Sequence, residues 1–256
     1  MPSPAATPTL ADLVAEHVLD AELAALAWLL LEQGVPVLVA GSDVPAGRTL
    51  LDALVAALPG DRRPLAAAER GAAAVHVAGV EHEAGAAEPE ATGRLVRVPG
   101  VLAADAAPGA LRAALASTTG RSGLAAQLSA AALSGVLGVL ANEGLSEDEA
   151  SFLGVVLVVE RRSGAAPGSR VAVAHYLRPV VRDAAGHPRR QRPAVLAAWR
   201  PDADRWEDYS WGIVPDLAER CRMPDGEFEA ERINRAAALT STAAMLAGLA
   251  PDRSVG

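Results

Sequence analysis

The residue types best placed to do chemistry in this sequence lie in one short run, Gly41-Ser42-Asp43-Val44-Pro45-Ala46-Gly47-Arg48-Thr49. Two glycines precede a basic residue and a hydroxyl. That order is close to G-x-x-x-x-G-K-[ST], in which backbone N–H groups wrap a phosphate chain, the lysine reaches the outer phosphates and the hydroxyl ligates Mg²⁺. Four details differ. One extra residue separates the glycines, and Arg48 stands where the lysine would be. Asp43 sets a negative charge beside the expected anion, and Pro45 lacks the N–H that the wrap would use. Read as a phosphate site, Gly41, Ser42, Gly47, Arg48 and Thr49 would contact ATP, with Thr49 as the Mg²⁺ ligand when nucleotide binds. A plain strand-to-helix turn, with Gly47 near the helix start, accounts for the same residues.

Other groups carry less. His76, Glu81, His82 and Glu83 form a His/acid cluster with donors suited to Zn²⁺, but their spacing fits no zinc pattern and a solvated loop is the better reading. Arg189, Arg190 and Arg192 make a basic knot that would meet an acidic partner or sit at a hairpin tip. Trp199, Trp206, Tyr209 and Trp211 cluster in one stretch, where they would pack a sheet or present an interface hot spot. His175 and Tyr176 fall in an apolar strand and read as packing residues. Ser129 and Ser210 have no His/Asp context for nucleophilic catalysis.

The elements that must position the Gly41–Thr49 run are legible around it. Residues 35–41, V-P-V-L-V-A-G, are nearly continuously apolar, which marks a strand buried on both faces. A loop from Gly41 to Gly47 then leads into a helix over Arg48 to Leu58 with Leu51, Leu54, Val55 and Leu58 on one face. Before the strand, residues 10–19 read as a short helix, and Asp20 caps a second helix through Leu31. After it, strands are expected at 64–68, 73–77, 95–98, 123–128 and 154–160. Helices are expected at 108–116 and 130–141, and Ser146-Glu147-Asp148-Glu149 forms a capping box. The alternation ends near residue 160. Residues 170–181, 193–200 and 205–211 read as an antiparallel meander, and helices at 215–221 and 225–249 finish the chain.

The bulk numbers set limits. The 256 residues are half apolar, chiefly Ala, Leu and Val, enough for one core. The net charge of −8 disfavours nucleic acid as a partner. All 23 basic residues are arginine, which excludes lysine chemistry, and the single Cys221 excludes an internal disulfide. No apolar run approaches the ~20 residues of a membrane span. No basic-then-apolar leader opens the chain. A cytoplasmic protein without membrane insertion is the expectation.

Three stretches together resemble the type II/IV secretion ATPases, RecA-like motors of secretion and pilus systems. V-L-V-A-G-S-D-V-P-A-G-R-T-L-L-D-A-L, residues 37–54, is similar to their strand, phosphate loop and helix. Gly123 to Leu133, G-L-A-A-Q-L-S-A-A-A-L, is similar to their histidine box, and residues 95–100 fall where a Walker B strand is expected. The likeness spans residues 20 to 160. It departs at Arg48, at Gln127 and Ser129 in place of the box's threonine and histidine, and at Gly100 in place of the Walker B acid, with Asp105 the nearest substitute. The resemblance implies an α/β, RecA-like, P-loop NTPase-type fold. It would have a mostly parallel sheet flanked by helices, an antiparallel C-terminal meander and terminal helices. The segments would be residues 1–34 (tail and helices), 35–165 (core), 166–213 (meander) and 214–256 (helices). It further implies a degenerate member that binds ATP and Mg²⁺ weakly if at all. Such a chain would act through contacts with copies of itself, a paralogous ATPase or a membrane assembly platform. The alternative is a working ATPase that uses Arg48 and Thr49.

Overall fold

The computed structural model describes residues 7–64, 95–105, 107–116, 123–162 and 168–249. The expected strands at 64–68 and 73–77, and the His76/Glu81/His82/Glu83 cluster, lie essentially outside them. The strands are β1 (Val37–Gly41), β2 (Val96–Leu102), β3 (Leu124–Leu128), β4 (Gly154–Arg161), β5 (Ser169–Leu177), β6 (Val181–Arg182), β7 (Pro188–Arg189), β8 (Ala194–Arg200) and β9 (Arg205–Asp208). The helices are α1 (Leu10–Ala15), α2 (Ala21–Glu32), α3 (Val44–Ala57), α4 (Ala110–Ala116), α5 (Leu133–Asn142), α6 (Glu147–Ser151), α7 (Val214–Cys221) and α8 (Asp225–Leu249).

Seven strands form one sheet in the order β2-β3-β1-β4-β5-β8-β9. The first four are mutually parallel, and β5, β8 and β9 continue antiparallel. The architecture is thus α/β with a mixed sheet, parallel at its centre and extended by the expected meander. Side-chain alternation feeds two cores. Val37 and Val39 of β1 join Val155, Leu157 and Val159 of β4 under α1, α2, α3, α7 and α8. Leu38 and Ala40 join Val156 and Val158 under α4, α5 and α6. Every β1 residue is buried, as a strand covered by helices on both faces must be. Small Ala and Val side chains let these layers close without many aromatics.

Several boundaries depart from the sequence reading. α1 stops at Ala15, because His17 takes a left-handed φ of 54° and turns the chain. α5 begins at Leu133, three residues late, with no side-chain cap at Ala132. β5 ends at Leu177, before Pro179, and residues 181–189 form a separate two-stranded ribbon. β9 ends at Asp208, whose carboxylate accepts the Ser210 N–H at 2.8 Å and starts a 3₁₀ turn, Ser210–Ile213, where more strand was expected. α3 begins at Val44, four residues before the expected start, and this alters the reading of the motif. The capping box at Ser146 forms as expected. So does the 25-residue α8. Among the described residues, no helix is long and apolar enough to cross a membrane.

Leu54 on α3 is fully buried against β1 and α2. Leu54→Ala should lower the unfolding free energy by about 2–5 kcal/mol in a urea titration, since the lost methyl groups leave a cavity the sheet cannot close. A loss below half that range would mean α3 does not seal this core.

Candidate functional site

β1 delivers its carboxyl end to the middle of the parallel strands, the usual place for a ligand in an open α/β sheet. Gly41 closes the strand there and lies opposite Val159 of β4. A Cβ at Gly41 would stand 2.5 Å from the Val159 carbonyl oxygen. The glycine is therefore required for the approach of two neighbouring strands, independently of any phosphate.

Only Ser42 and Asp43 separate β1 from α3. Val44, Pro45, Ala46, Gly47, Arg48 and Thr49 are all helical, so the expected loop from Gly41 to Gly47 is mostly the first turn of α3. The physical reason lies in two residues read as defects of a phosphate loop. Asp43 is the N-cap, and its Oδ1 accepts the Ala46 N–H at 3.2 Å. Pro45 sits in the first turn, where its missing N–H has no intrahelical partner to lose. Both favour an early helix start.

The Asp43 carboxylate has two more partners, from the far side of β4 and β5. Ser169 Oγ donates to Oδ2 at 2.8 Å, and Arg161 Nε donates to the same oxygen at 3.1 Å. The Asp43 side chain is only 12% exposed. The Ser169 hydroxyl, the Ala46 N–H and the Arg161 guanidinium hold its carboxyl below the usual carboxylate range, against a smaller opposing effect of burial. An internal anion thus occupies the positive end of α3, the position that a bound phosphate would take.

The remaining motif residues are dispersed. A Cβ on buried Gly47 would stand 2.8 Å from Gln127 Nε2, which itself donates to the Val44 carbonyl oxygen at 2.5 Å. Gln127 is 4% exposed, so this amide ties β3 to the start of α3, and Gly47 makes room for it. Arg48 is exposed and makes no ion pair among the described residues. The Thr49 hydroxyl donates to the Pro45 carbonyl oxygen at 3.1 Å, a bond internal to the helix. Ser42 is exposed.

The supporting motifs fall as follows. β2 pairs with β3, not β1, and runs through Gly100 to Leu102 with a register shift between Arg97 and Val101. Asp105 is an exposed turn residue. Arg97 instead pairs with Asp52 of α3. Ser129, in the histidine's place, is exposed beyond the end of β3, its N–H bonded to the Leu102 carbonyl oxygen at 2.8 Å. His175 is half-buried in β5, and desolvation lowers its pKa. Arg190 is bound to Glu147 and Asp148 of α6. Trp199 and Trp206 meet edge-on with centroids 4.5 Å apart, and Arg170 lies 4.3 Å from the Trp199 ring centroid. Trp211 alone of the aromatic cluster is largely exposed, at 75%. No group of three or more His, Cys, Asp or Glu among the described residues is arranged to hold a metal.

No protein-family model matches the chain. Nor does any curated protein.

Arg161 and Ser169 escaped the sequence reading. They stand at the facing ends of two strands and reach Asp43 only because β4 lies beside β1 and β5 turns back alongside it. An Asp directly before a Pro-containing helix start was the available signal, and it points to a cap.

Asp43→Asn keeps a side-chain cap and removes the charge. At neutral pH it should be less stable than wild type, and the gap should shrink as pH falls through the depressed Asp43 pKa, because the native carboxylate's advantage exists only above the unfolded-state pKa and disappears as it protonates. Urea midpoints of both proteins across an acid pH series would show it, and parallel pH profiles would refute it. Asp43→Ala, which also removes the cap, should cost roughly 1–2 kcal/mol at neutral pH.

Proposed function

We propose that this chain is a degenerate relative of the type II/IV secretion and pilus-assembly ATPases that works through protein contacts, with weak or no ATP hydrolysis. The observation that carries this reading is the Asp43 carboxylate seated at the start of α3 and held by Ser169 and Arg161. The parallel strands around β1, and the departure of α3 from its carboxyl end, are what a phosphate-binding ancestor would leave behind. A phosphate entering there would meet a like charge. One unit charge at 4 Å costs about 4 kcal/mol at an effective dielectric of 20, roughly a thousandfold in affinity. It would also have to unwind the first turn of α3, because residues 44–46 are helical and not wrapped. The catalytic helpers are missing at the motif positions as well: Gly100, inside β2, stands where the acid is expected, Asp105 beyond the strand is an exposed turn residue, and Ser129 cannot replace a histidine in orienting water. A partner of this kind would be another copy, a paralogous active subunit or a membrane assembly platform.

The working-ATPase alternative draws on one feature. Arg48 is exposed and free of ion pairs among the described residues, one helical turn from the corner. That reading needs Thr49 to give up its bond to Pro45 and turn toward Mg²⁺.

Calorimetric titration of the purified chain with Mg-ATP separates the two. The wild type should show no saturable binding, Arg48→Ala should leave the trace unchanged, and Asp43→Gly should gain measurable heat as the helix start is vacated. Saturable wild-type binding that disappears in Arg48→Ala, together with ATP turnover, would establish the enzyme instead.

A further inference from the structure

At the opposite end of β1 from Asp43 lies a cavity of about 570 Å³. Such a volume suits a small organic ligand. Its apolar wall comes from Val35 and Pro36, leading into β1, and from Pro179 and Val181, leaving β5. Tyr176 reaches the cavity from β5. The residue is 1% exposed, and its hydroxyl makes no hydrogen bond with any described residue. That hydroxyl is not among the sealed polar atoms, so the small exposed area of Tyr176 lies at its hydroxyl. A phenol buried to its tip and left without a partner in a polar-lined space is a hydrogen-bond donor without an acceptor.

The charged lining favours an anion as that acceptor. Asp216 is already neutralised by Arg178, Nη2 to Oδ2 at 2.7 Å. Exposed Glu219 is then the one acid of the lining whose carboxylate has no partner among the described residues, against the two arginines Arg220 and Arg222. Arg220 donates one N–H to the Phe152 carbonyl oxygen at 2.6 Å and lies 5.7 Å from the Phe152 ring centroid, with no other hydrogen bond or ion pair of its guanidinium among the described residues. The Arg222 guanidinium makes no hydrogen bond or ion pair among the described residues, and the residue ends α7 in the left-handed conformation, φ 56°, its backbone N–H bonded to the Glu219 carbonyl oxygen. The lining itself carries two acids and two arginines. With Arg178, outside the lining, already paired to Asp216, one guanidinium is left without an acidic counterpart beside the apolar wall, on a chain of net charge −8. Burial pushes the Tyr176 pKa up to about 12, which keeps the hydroxyl a donor.

We propose that this cavity is a binding site for a small organic anion with an apolar body and a carboxylate or phosphate head. The body packs on Val35, Pro36 and Pro179. The head faces Arg220 and Arg222 and accepts the Tyr176 hydroxyl. The site stands apart from the Asp43 corner, so its fate does not depend on the nucleotide question.

The test is an amide-shift NMR titration of the whole chain with benzoate, with phenyl phosphate and with neutral benzamide. At least one anion should give saturable shifts at Gly34, Val35 and Arg222, and which one distinguishes carboxylate from phosphate recognition. Benzamide should bind at least tenfold more weakly. Tyr176→Phe deletes only the hydroxyl and should weaken the anion about tenfold, the worth of one hydrogen bond to a charged acceptor. Arg222→Gly removes the guanidinium at a position where glycine suits the backbone, so it folds and should weaken binding comparably even if Tyr176→Phe proves unstable. Absence of saturation with both anions overturns the proposal, as does binding that both variants leave unchanged.

Discussion

A strand buried on both faces and hydrogen-bonded along both edges can release its chain only at its ends, and there the backbone must find partners quickly. β1 is such a strand, held by β3 on one side and β4 on the other. Everything at the candidate site follows from how its carboxyl end is resolved. Gly41 lets β4 pass within contact distance, two residues make the turn, and Asp43 captures the first orphan N–H of α3. The same carboxylate then gathers Arg161 and Ser169, so that one side chain ties β1, α3, β4 and β5 together.

That arrangement exchanges a possible ligand for an internal contact. A helix start beside a parallel strand attracts anions whatever their origin. Once a side-chain carboxylate is supplied by the chain itself, a phosphate gains little there and meets repulsion as well. Gln127 has a comparable role on the other flank, joining β3 to the Val44 carbonyl in the space Gly47 leaves. Gly41, Asp43, Pro45 and Gly47, which look like fragments of a nucleotide site in the linear sequence, thus have structural roles in the folded chain. The two ends of β1 differ in this respect. The carboxyl end is satisfied from within, whereas the amino end opens beside a buried hydroxyl without a partner among the described residues.

Much of the fold was legible. The continuous apolar run of β1, the apolar face of α3, the run of β4 and the capping box at Ser146 each carry a local signal strong enough to survive tertiary packing. The boundaries that moved did so for reasons a linear pattern does not hold. His17 adopts a left-handed turn, Asp208 bonds forward to end β9, and α5 starts without a capping side chain. At the site, the strand-to-helix corner was legible, but the wrapped loop expected between Gly41 and Gly47 is helix. The template drew attention to its glycines, whereas Asp43 and Pro45 together specify an early helix start.

The sequence by itself determined most of the strands and helices among the described residues, that the centre of the sheet is parallel and that its edge runs antiparallel, because periodicity and burial are written into the order of apolar residues. Only the tertiary structure decided what each polar group near the corner does. Arg161, Ser169 and Gln127 lie more than eighty residues from Asp43 or Val44 along the chain, and strand order alone brings them within hydrogen-bonding distance. Electrostatics and hydrogen bonds act through space, over a few ångströms, and no spacing rule along the chain can anticipate partners that the sheet assembles from separate strands.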